Sequence, residues 1–308
     1  FLSLMIFASI YFLFSKYKPT NDLINSNSKE TFVLINNWFM MFYLITVLLG
    51  TLYPIFTDAI SNNKISVGPP FYNSVIIPVV IVFLFFMAIG PQAKWIKNKF
   101  SNSRSILLIL GGAIIINFAI VYFLKSYSLI SNLILISSLF LIMSSIFDFF
   151  KKSKLSFPRI VSHLSFGFLI LFIGLNHNFS VEKDFNLKLG EAKKIDDYEF
   201  ALLDLKLSQE NNYKAVVGKL EVNNSNTMER RILYPEIRIY DSPQTLTYEA
   251  SIQTNFLGDH YLTMSNIDRS EYYNIKFQHK PLMIWIWISV VLLSVGGFLS
   301  LFRNAKNN

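Results

Sequence analysis

The stretch RIVSHLSFGFLILFIGLNHNFSVE, residues 159–182, joins the apolar part of the chain to its polar part. It begins as an apolar helix with one histidine, His163, three residues into the segment that would lie in a membrane. A polar run of about a hundred residues follows it. Because an ionisable side chain inside a membrane helix is costly, His163 is the first candidate for a functional residue.

The composition indicates a multi-span membrane protein. The chain has 308 residues, of which 52% are hydrophobic and 16% aromatic, and its mean hydropathy is positive. About 20 helical residues cross a hydrocarbon layer of ~30 Å. Seven apolar segments reach or approach that length: residues 1–14, 31–52, 74–90, 105–124, 129–147, 160–175 and 281–302. Because residue 1 is Phe within an apolar run, we expect a truncated first segment and a fragment lacking its N-terminal part, not a signal peptide.

The basic residues predict the orientation of these spans. Residues 180–279 carry 12 Lys and Arg and 16 Asp and Glu, whereas the remainder carries 16 basic and 4 acidic residues. Thirteen basic residues flank one side of the spans: Lys16, Lys18, Lys29, Lys94, Lys97, Lys99, Arg104, Lys151, Lys152, Lys154, Arg159, Arg303 and Lys306. The other side carries three: Lys64, Lys125 and Lys280. The positive-inside rule therefore places the C-terminus in the cytoplasm and the polar run outside, in the periplasm of a bacterium.

This charge pattern also divides the chain and excludes one class of partner. We predict a transmembrane helical region over residues 1–175, a β-rich periplasmic domain over 176–280, and a last span with a cytoplasmic tail over 281–308. The basic residues follow the membrane topology and do not cluster on one soluble face, so a nucleic-acid partner is not expected. The lipid bilayer is the expected surrounding of the helices.

The polar run has the pattern of an antiparallel β domain. Short alternating stretches rich in β-branched and aromatic residues are separated by Asn-Asn, Gly and Asp-Ser-Pro breaks. They are FNLKLG (185–190), YEFALLDLKL (198–207), KAVVGKLEV (214–222), RRILYPEIRIY (230–240), TLTYEASIQTN (245–255) and YLTMSN (261–266). Six to eight strands of this kind predict a small barrel or sandwich, inserted before the last of about seven transmembrane helices.

The residues around His163 leave its role open. Gly167 and Gly174 lie on its helical stripe, and Phe166 shares its face. The two glycines give room for a flat macrocycle ligated by the imidazole, with Phe166 against its edge, or they let another helix pack closely. A packed or hydrogen-bonded histidine and a proton relay remain alternatives to the ligand.

The other candidate residues give weaker signals. His177 is 14 residues beyond His163, or about 21 Å along a continuous helix, so the two cannot bind one iron from the same helix. We expect His260 and His279 to be surface histidines of the outer domain. The chain has no cysteine, which excludes disulfides and thiolate metal binding. The absence of a carboxylate near the middle of a span disfavours an ion-coupled transporter.

Two further patterns concern the membrane interface. Gly68, Pro69 and Pro70 predict a non-helical turn, and the aromatic Phe71 and Tyr72 follow it as interface anchors. Tryptophans near the ends of spans indicate an interfacial belt: Trp95 on the inner side, and Trp285 and Trp287 on the outer side.

Six stretches taken together resemble one family. They are SKETFVLINN (28–37), LLGTLYPIFTDAI (48–60), KISVGPPFYN (64–73), GPQAKW (90–95), SHLSFGFLILFIGLNHNFSVEKDFNLKLGE (162–191) and KPLMIWIWISVVLLSVGGFLSLF (280–302). In order and spacing they resemble the C-terminal half of the CcmF family, the membrane haem lyase subunit of bacterial cytochrome c maturation. The resemblance covers essentially the whole chain.

The resemblance implies a function that residue patterns alone do not. The family attaches haem to the Cys-x-x-Cys-His motif of apocytochrome c in the periplasm, with haem from the chaperone CcmE and with CcmH-type and CcmI-type subunits. It also implies that His163 is one of two axial ligands of an internal haem b, in the bacterial inner membrane. The family's Trp-rich segment, its other membrane ligand and its two outer-side histidines are not recognisable here.

This departure limits what the chain is expected to do by itself. We expect a truncated sequence or one half of a split protein, not a complete lyase, with the second haem ligand supplied by other residues or a partner. The alternative is a non-catalytic membrane scaffold whose β domain binds partner proteins and in which His163 only packs.

Overall fold

The computed structural model describes residues 2–16, 28–61, 65–93, 103–124, 128–150, 157–225, 229–267 and 270–305. Most of the residues that predict orientation lie outside the described residues: Lys18, Lys64, Lys94, Trp95, Lys97, Lys99, Lys125, Lys151, Lys152, Lys154 and Lys306. The cytoplasmic position of the C-terminus therefore stays a prediction.

Seven helices make up the apolar part of the described chain. They are α1 (Leu2–Lys16), α2 (Lys29–Ser61), α3 (Pro69–Ile89), α4 (Ser103–Leu124), α5 (Leu129–Phe150), α6 (Phe157–Phe179) and α7 (Met283–Ala305). Six of them, α2 to α7, are long and apolar enough to cross a membrane, whereas α1 has 15 residues. The predicted class, a multi-span helical membrane protein with a β domain before the last helix, is confirmed.

The helices are longer than the predicted spans or begin and end at other residues, and α2 and α3 show this at prolines. The helix α3 begins at Pro69 and not at Ser74, so the non-helical part of the turn ends at Gly68. Proline in the first turn of a helix costs no hydrogen bond, because the first N–H groups have no helical partner. The expectation of a turn through Pro70 was therefore wrong. The helix α2 continues through Pro54 to Ser61, beyond the predicted end at residue 52.

The helix α5 is the centre of the bundle. It packs against α3, α4 and α6, while α7 covers the other side of α6 and α2 packs on α3. Its buried face carries small polar residues: Ser131, Ser137, Ser138, Ser144 and Ser145. Ser144 donates a hydrogen bond to the carbonyl of Ala88 on α3 (2.9 Å). Small and hydroxylated residues of this kind let membrane helices approach closely.

Ten strands form the β domain. They are β1 (Val181–Lys188), β2 (Ala192–Ile195), β3 (Tyr198–Gln209), β4 (Tyr213–Asn224), β5 (Glu229–Leu233), β6 (Glu236–Asp241), β7 (Gln244–Glu249), β8 (Ser251–Thr254), β9 (Gly258–Asn266) and β10 (Tyr272–Pro281). One antiparallel sheet has the order β1-β10-β9-β8 and the other β2-β3-β4-β6-β7, with β5 also paired to β4. Buried side chains from both sheets, such as Phe200 and Phe277, form one core, so the domain is a sandwich.

The strand count exceeds the six to eight that were predicted. The predicted strand 230–240 divides into β5 and β6 at Pro235, which has no N–H to continue the ladder. The predicted strand 245–255 divides into β7 and β8 at Ala250. The strand β10 was missed, although Ile275 and Phe277 alternate with polar residues and are fully buried between β1 and β9.

Both ends of the sandwich are attached to neighbouring helices. The strand β1 follows α6 after Ser180, and β10 leads into α7 at Leu282. The Asn176 side chain of α6 donates a hydrogen bond to the carbonyl of Pro281 (2.5 Å). The Trp285 indole of α7 donates one to the carbonyl of Phe256 (3.0 Å). These bonds fix the position of the sandwich on the helices.

Candidate functional site

His163 lies near the start of α6, where α2 also begins and α3 ends. There it lines a pocket of about 270 Å³. The residues that matter for its chemistry are Lys29, Phe32, Phe83, Phe86, Arg159 and His163. Helices that alternate in direction bring the starts of α2 and α6 to the end of α3, so residues far apart in sequence meet around one imidazole.

Aromatic rings form one wall of this pocket. Phe32 of α2 packs against Phe86 of α3, with ring centroids 5.9 Å apart. Phe83 of α3 contacts Phe166 of α6 edge to face, at 6.1 Å. Phe166 therefore belongs to the contact between α3 and α6. The wall is apolar and offers flat surfaces to a ligand beside His163.

Two cationic side chains share the pocket with the imidazole. Arg159 precedes His163 by one helical turn, and Lys29 comes from the first turn of α2. A neutral imidazole can ligate a metal, and guanidinium and ammonium groups bind carboxylates. The set therefore fits a flat aromatic ligand that carries a metal and negative charge, such as haem.

A second, smaller pocket lies beside the same histidine. Its volume is about 10 Å³, enough for about one water molecule, and its polar lining residues are Ser144, Ser145, Asp148, Arg159 and His163. Asp148 is buried, at 7% exposure. Because Asp148 lies near the end of α5 and not in the middle of a span, the sequence pattern did not indicate a role for it. Its one signal was a lone carboxylate within the apolar run IFDFF.

The two glycines of the histidine stripe contact α5. A Cβ on Gly167 would lie 2.7 Å from Cγ1 of Ile142, and one on Gly174 would lie 3.0 Å from Cγ2 of Ile134. The space that we expected to hold a macrocycle is thus occupied by side chains of α5. The structure favours the other interpretation of the stripe, close helix packing.

The remaining histidines divide into two kinds. His177 is exposed near the end of α6, so it is separate from the His163 pocket, as predicted. The expectation that His260 and His279 are surface histidines was wrong for His260, which is 6% exposed. The two rings lie 4.5 Å apart. Within the described residues, no group of three or more His, Cys, Asp or Glu could hold a metal ion.

Comparison with known proteins identifies relatives of this chain. A family model described as "CcmF C-terminal beta-sandwich" matches residues 178–281. The cytochrome c-type biogenesis protein CcmF of Haemophilus influenzae is 26% identical over 92% of this chain and 46% of its own length. CcmF of Escherichia coli strain K12 is 25% identical over 98% of this chain and 48% of its own length. The predicted resemblance is confirmed.

A solved structure shows the same fold. The structure named "Cytochrome c Heme Lyase CcmF" superposes with a TM-score of 0.67 at 20% identity, over 90% of this chain and 46% of that one. The chain thus spans about half the length of the relatives that it matches.

Proposed function

We propose, from the premise that this chain corresponds to the C-terminal half of CcmF-family proteins, that it forms the C-terminal part of a cytochrome c haem lyase subunit. It would help to attach haem covalently to apocytochrome c outside the bacterial inner membrane. The observation that carries the proposal is the single membrane histidine, which lies in an aromatic pocket with two cations.

The residues of the His163 pocket fit a haem b. His163 would give one axial bond, because imidazole suits haem iron. Arg159 and Lys29 would neutralise the carboxylates of the macrocycle, and Phe32 and Phe86 would cover part of its apolar surface. A bound haem b would supply one-electron redox chemistry. The low polarity of the surrounding helices would help to set its potential.

This pocket would hold only part of the cofactor. Its volume of about 270 Å³ is at the lower limit of small-molecule pockets, which are roughly 300–1,000 Å³. We therefore propose that a further segment, from the same protein or a partner subunit, closes the site and provides the second axial ligand. That segment would lie beside the start of α2, which forms the outer wall of the pocket. It would occupy the place that lipid would otherwise take.

The sandwich would provide the docking surface for partner proteins. Its attachment to α6 and α7 by the Asn176 and Trp285 hydrogen bonds would hold it at a fixed height above the membrane. With the predicted orientation, this side is the periplasm and the C-terminus is cytoplasmic. The expected partners are the haem chaperone CcmE, CcmH-type and CcmI-type subunits and apocytochrome c.

A pair of histidine variants tests this function. In membranes that contain all other maturation components, His163→Ala should abolish the b-type band of the reduced-minus-oxidised spectrum and lower the yield of cytochrome c. His177→Ala on the same helix is the matched control, because its side chain is exposed outside the pocket. An unchanged band and yield in the His163→Ala protein would contradict the proposed role.

One observation favours a second candidate, a non-catalytic scaffold in which His163 only packs. The stripe of Gly167 and Gly174 is filled by α5, as in a purely structural helix contact. The scaffold predicts that His163→Gln is tolerated, whereas deletion of a sandwich strand abolishes capture of partner subunits in a pull-down. The spectrum of the His163→Gln protein separates the two candidates. If His163 ligates haem, the b-type band is lost; if His163 only packs, the spectrum is unchanged.

A further inference from the structure

A second pair of polar side chains is buried at the other end of α6. His260 of β9 and His279 of β10 are direct partners in the antiparallel ladder, and their ring centroids are 4.5 Å apart. Side chains alternate along a strand, so His260 shares the inward face of Leu262, and His279 that of Phe277. The pair therefore points between the two sheets, next to the junction with α7.

Both histidines have a buried nitrogen without a partner. The Nδ1 atoms of His260 and His279 are inaccessible to solvent and make no hydrogen bond within the described residues. His260 is buried to more than nine-tenths, with 6% exposure, and its ring lies 5.9 Å from that of Phe277. Unsatisfied buried polar atoms are rare in folded proteins, because each one lowers the stability of the fold. Two of them on neighbouring imidazoles indicate a ligand that satisfies both.

The charged side chains around the two histidines add up to a neutral or slightly negative charge. Arg231 and Glu229 of β5 face the two rings and pair with each other (2.6 Å), which cancels their charges. Asp259 adds a negative charge beside His279. Its Oδ1 is also buried without a hydrogen bond. A cation between the imidazoles would therefore not meet a net positive charge.

The protonation state suits coordination to a metal. Burial and the nearby Arg231 lower the pKa of His260 to about 4, and the same causes lower the pKa of His279. Both imidazoles are then neutral at pH 7 and keep a lone pair. A cation consequently does not have to displace a proton before it binds.

Gly258 holds the two strands at this spacing. It is the ladder partner of Pro281, and a Cβ there would lie 2.8 Å from the carbonyl oxygen of Lys280 and 2.9 Å from Cε1 of His279. No other residue fits between these backbones without displacing the imidazole. The carbonyl of Pro281 also accepts the Asn176 hydrogen bond, which joins this end of β10 to α6. The backbone around the two histidines is therefore held both by the close approach at Gly258 and by α6.

We propose that His260 and His279 form a two-histidine site for a divalent first-row transition cation, Zn²⁺ or Cu²⁺. Imidazole is a preferred ligand of both ions. The described residues offer no third ligand of the usual kind, so water or a partner side chain would complete the coordination. Such an open site exchanges its ion. It goes beyond the proposed haem function, because His163 is 13 residues, or about 20 Å, from the Asn176 end of α6.

Zinc binding to the whole chain tests the proposal. The haem-free chain in lipid nanodiscs at pH 7 is titrated with Zn²⁺ and followed by calorimetry. We expect one site per chain, at least tenfold weaker in His260→Gln and in His279→Gln, and absent in the double variant. His177→Gln is the matched control and should bind like the unchanged protein, because it removes an exposed imidazole of α6.

Two further measurements guard against misfolded variants. Melting without zinc shows whether each variant is folded, and added Zn²⁺ should raise the melting temperature of the unchanged protein and of the His177→Gln control, but not that of the double variant. In the unchanged protein, ¹⁵N NMR should show both Nδ1 resonances shifting together on addition of Zn²⁺. Absence of Zn²⁺ binding by the unchanged protein, or equal binding by the folded double variant, would overturn the proposal.

Discussion

The charge beside His163 is decided by single residues on neighbouring elements. Arg159 lies one turn before it on α6, and Lys29 comes from α2. Asp148 of α5 lines the smaller pocket on the other side of the same imidazole. Arg159 lines both pockets, so the larger one has two cations, Lys29 and Arg159, and the smaller one has Arg159 together with a buried carboxylate. The surplus of positive charge in the larger pocket favours an anionic ligand there.

If His163 ligates a haem as proposed, neutralising Arg159 should weaken haem binding while leaving the axial ligand in place. A charge-assisted hydrogen bond contributes about 1.5–3 kcal/mol, so Arg159→Gln should lower haem affinity by roughly tenfold to a hundredfold. Arg159→Lys should keep part of the affinity. The measurement is haem titration of the assembled complex, followed by absorbance.

Arg104→Gln is the control for this titration. Arg104 is an exposed residue of α4 away from the pocket, and it belongs to the same set of basic flanking residues. Equal loss of haem affinity in the Arg104 and Arg159 variants would mean that the affinity depends on the total positive charge of the basic flanking residues and not on the position of Arg159 in the pocket.

At the scale of elements, the packing of α5 against α6 determines which residues of α6 can face a ligand. Its small polar residues hydrogen-bond to their own helix and to α3, and two of its isoleucines fill the glycine stripe of α6. The face of α6 that carries Gly167 is thus used for packing, whereas the start of the helix, with His163, faces the pocket. One helix serves both purposes because His163 and Gly167 share a face but lie one turn apart, so the first meets α2 and α3 in the larger pocket and the second meets α5.

A side chain at Gly167 should separate α5 from α6. Gly167→Ala would bring a Cβ to 2.7 Å from Ile142, and overpacking of this kind costs about 1–3 kcal/mol. We expect a lower melting temperature in nanodiscs. The added substitution Ile142→Ala should relieve the clash, because it removes the Cγ1 atom that a Cβ at position 167 would meet.

Gly111→Ala is the matched control on α4, where a Cβ would have no atom within 4 Å. It should leave stability unchanged or slightly higher, because alanine favours helix more than glycine does. If Gly167→Ala lowers haem content but not melting temperature, the stripe serves the macrocycle and not helix packing.

The molecule as a whole is a helical bundle and a sandwich that share one structural connection. Both chain crossings, from α6 to β1 and from β10 to α7, lie at the same end of the sandwich. The buried His260 and the partly buried His279 lie beside that connection, and the ion pair of Arg231 and Glu229, both on β5, is close to them. The stability of the sandwich therefore depends on histidines whose pKa is lower in the folded chain than in the unfolded chain.

The sandwich should lose stability as the pH falls from about 6.5 to about 4. The pKa of folded His260 is about 4, so the unfolded chain, with an ordinary histidine pKa of ~6.5, takes up protons first. The free energy of unfolding is highest above pH 6.5. It decreases by at most about 3 kcal/mol for His260 over that window, and no further below pH 4.

Circular-dichroism melting of the zinc-free chain at a series of pH values measures this loss. His260→Gln should flatten the profile between pH 6.5 and 4.5, although it removes some packing against Phe277. Below pH 4.5 the profiles should fall together, because the lowered pKa values of the ion-paired Glu221 and Glu229 then matter in both proteins. A variant profile as steep as the original would mean that His260 is not responsible.

The sequence determined the features that depend on local composition. Apolar runs of membrane length predicted α2 to α7, and alternation with turn residues predicted most strands of the β domain. The isolation of His163 within an apolar run marked it as the candidate residue. The predictions of helices and strands succeed because hydrophobic length and periodicity act within one segment and need no knowledge of its neighbours. The role of His163 stays a prediction.

Only the tertiary structure decided what these residues face. Strand pairing placed His260 next to His279. Helix packing filled the space at Gly167 with a side chain of α5 and brought Lys29 close to His163. Such contacts join residues up to about 130 positions apart, and no periodic pattern specifies which partner fills a given face. The physical reason is that burial and charge pairing are properties of the space between elements, which exists only once the chain has folded.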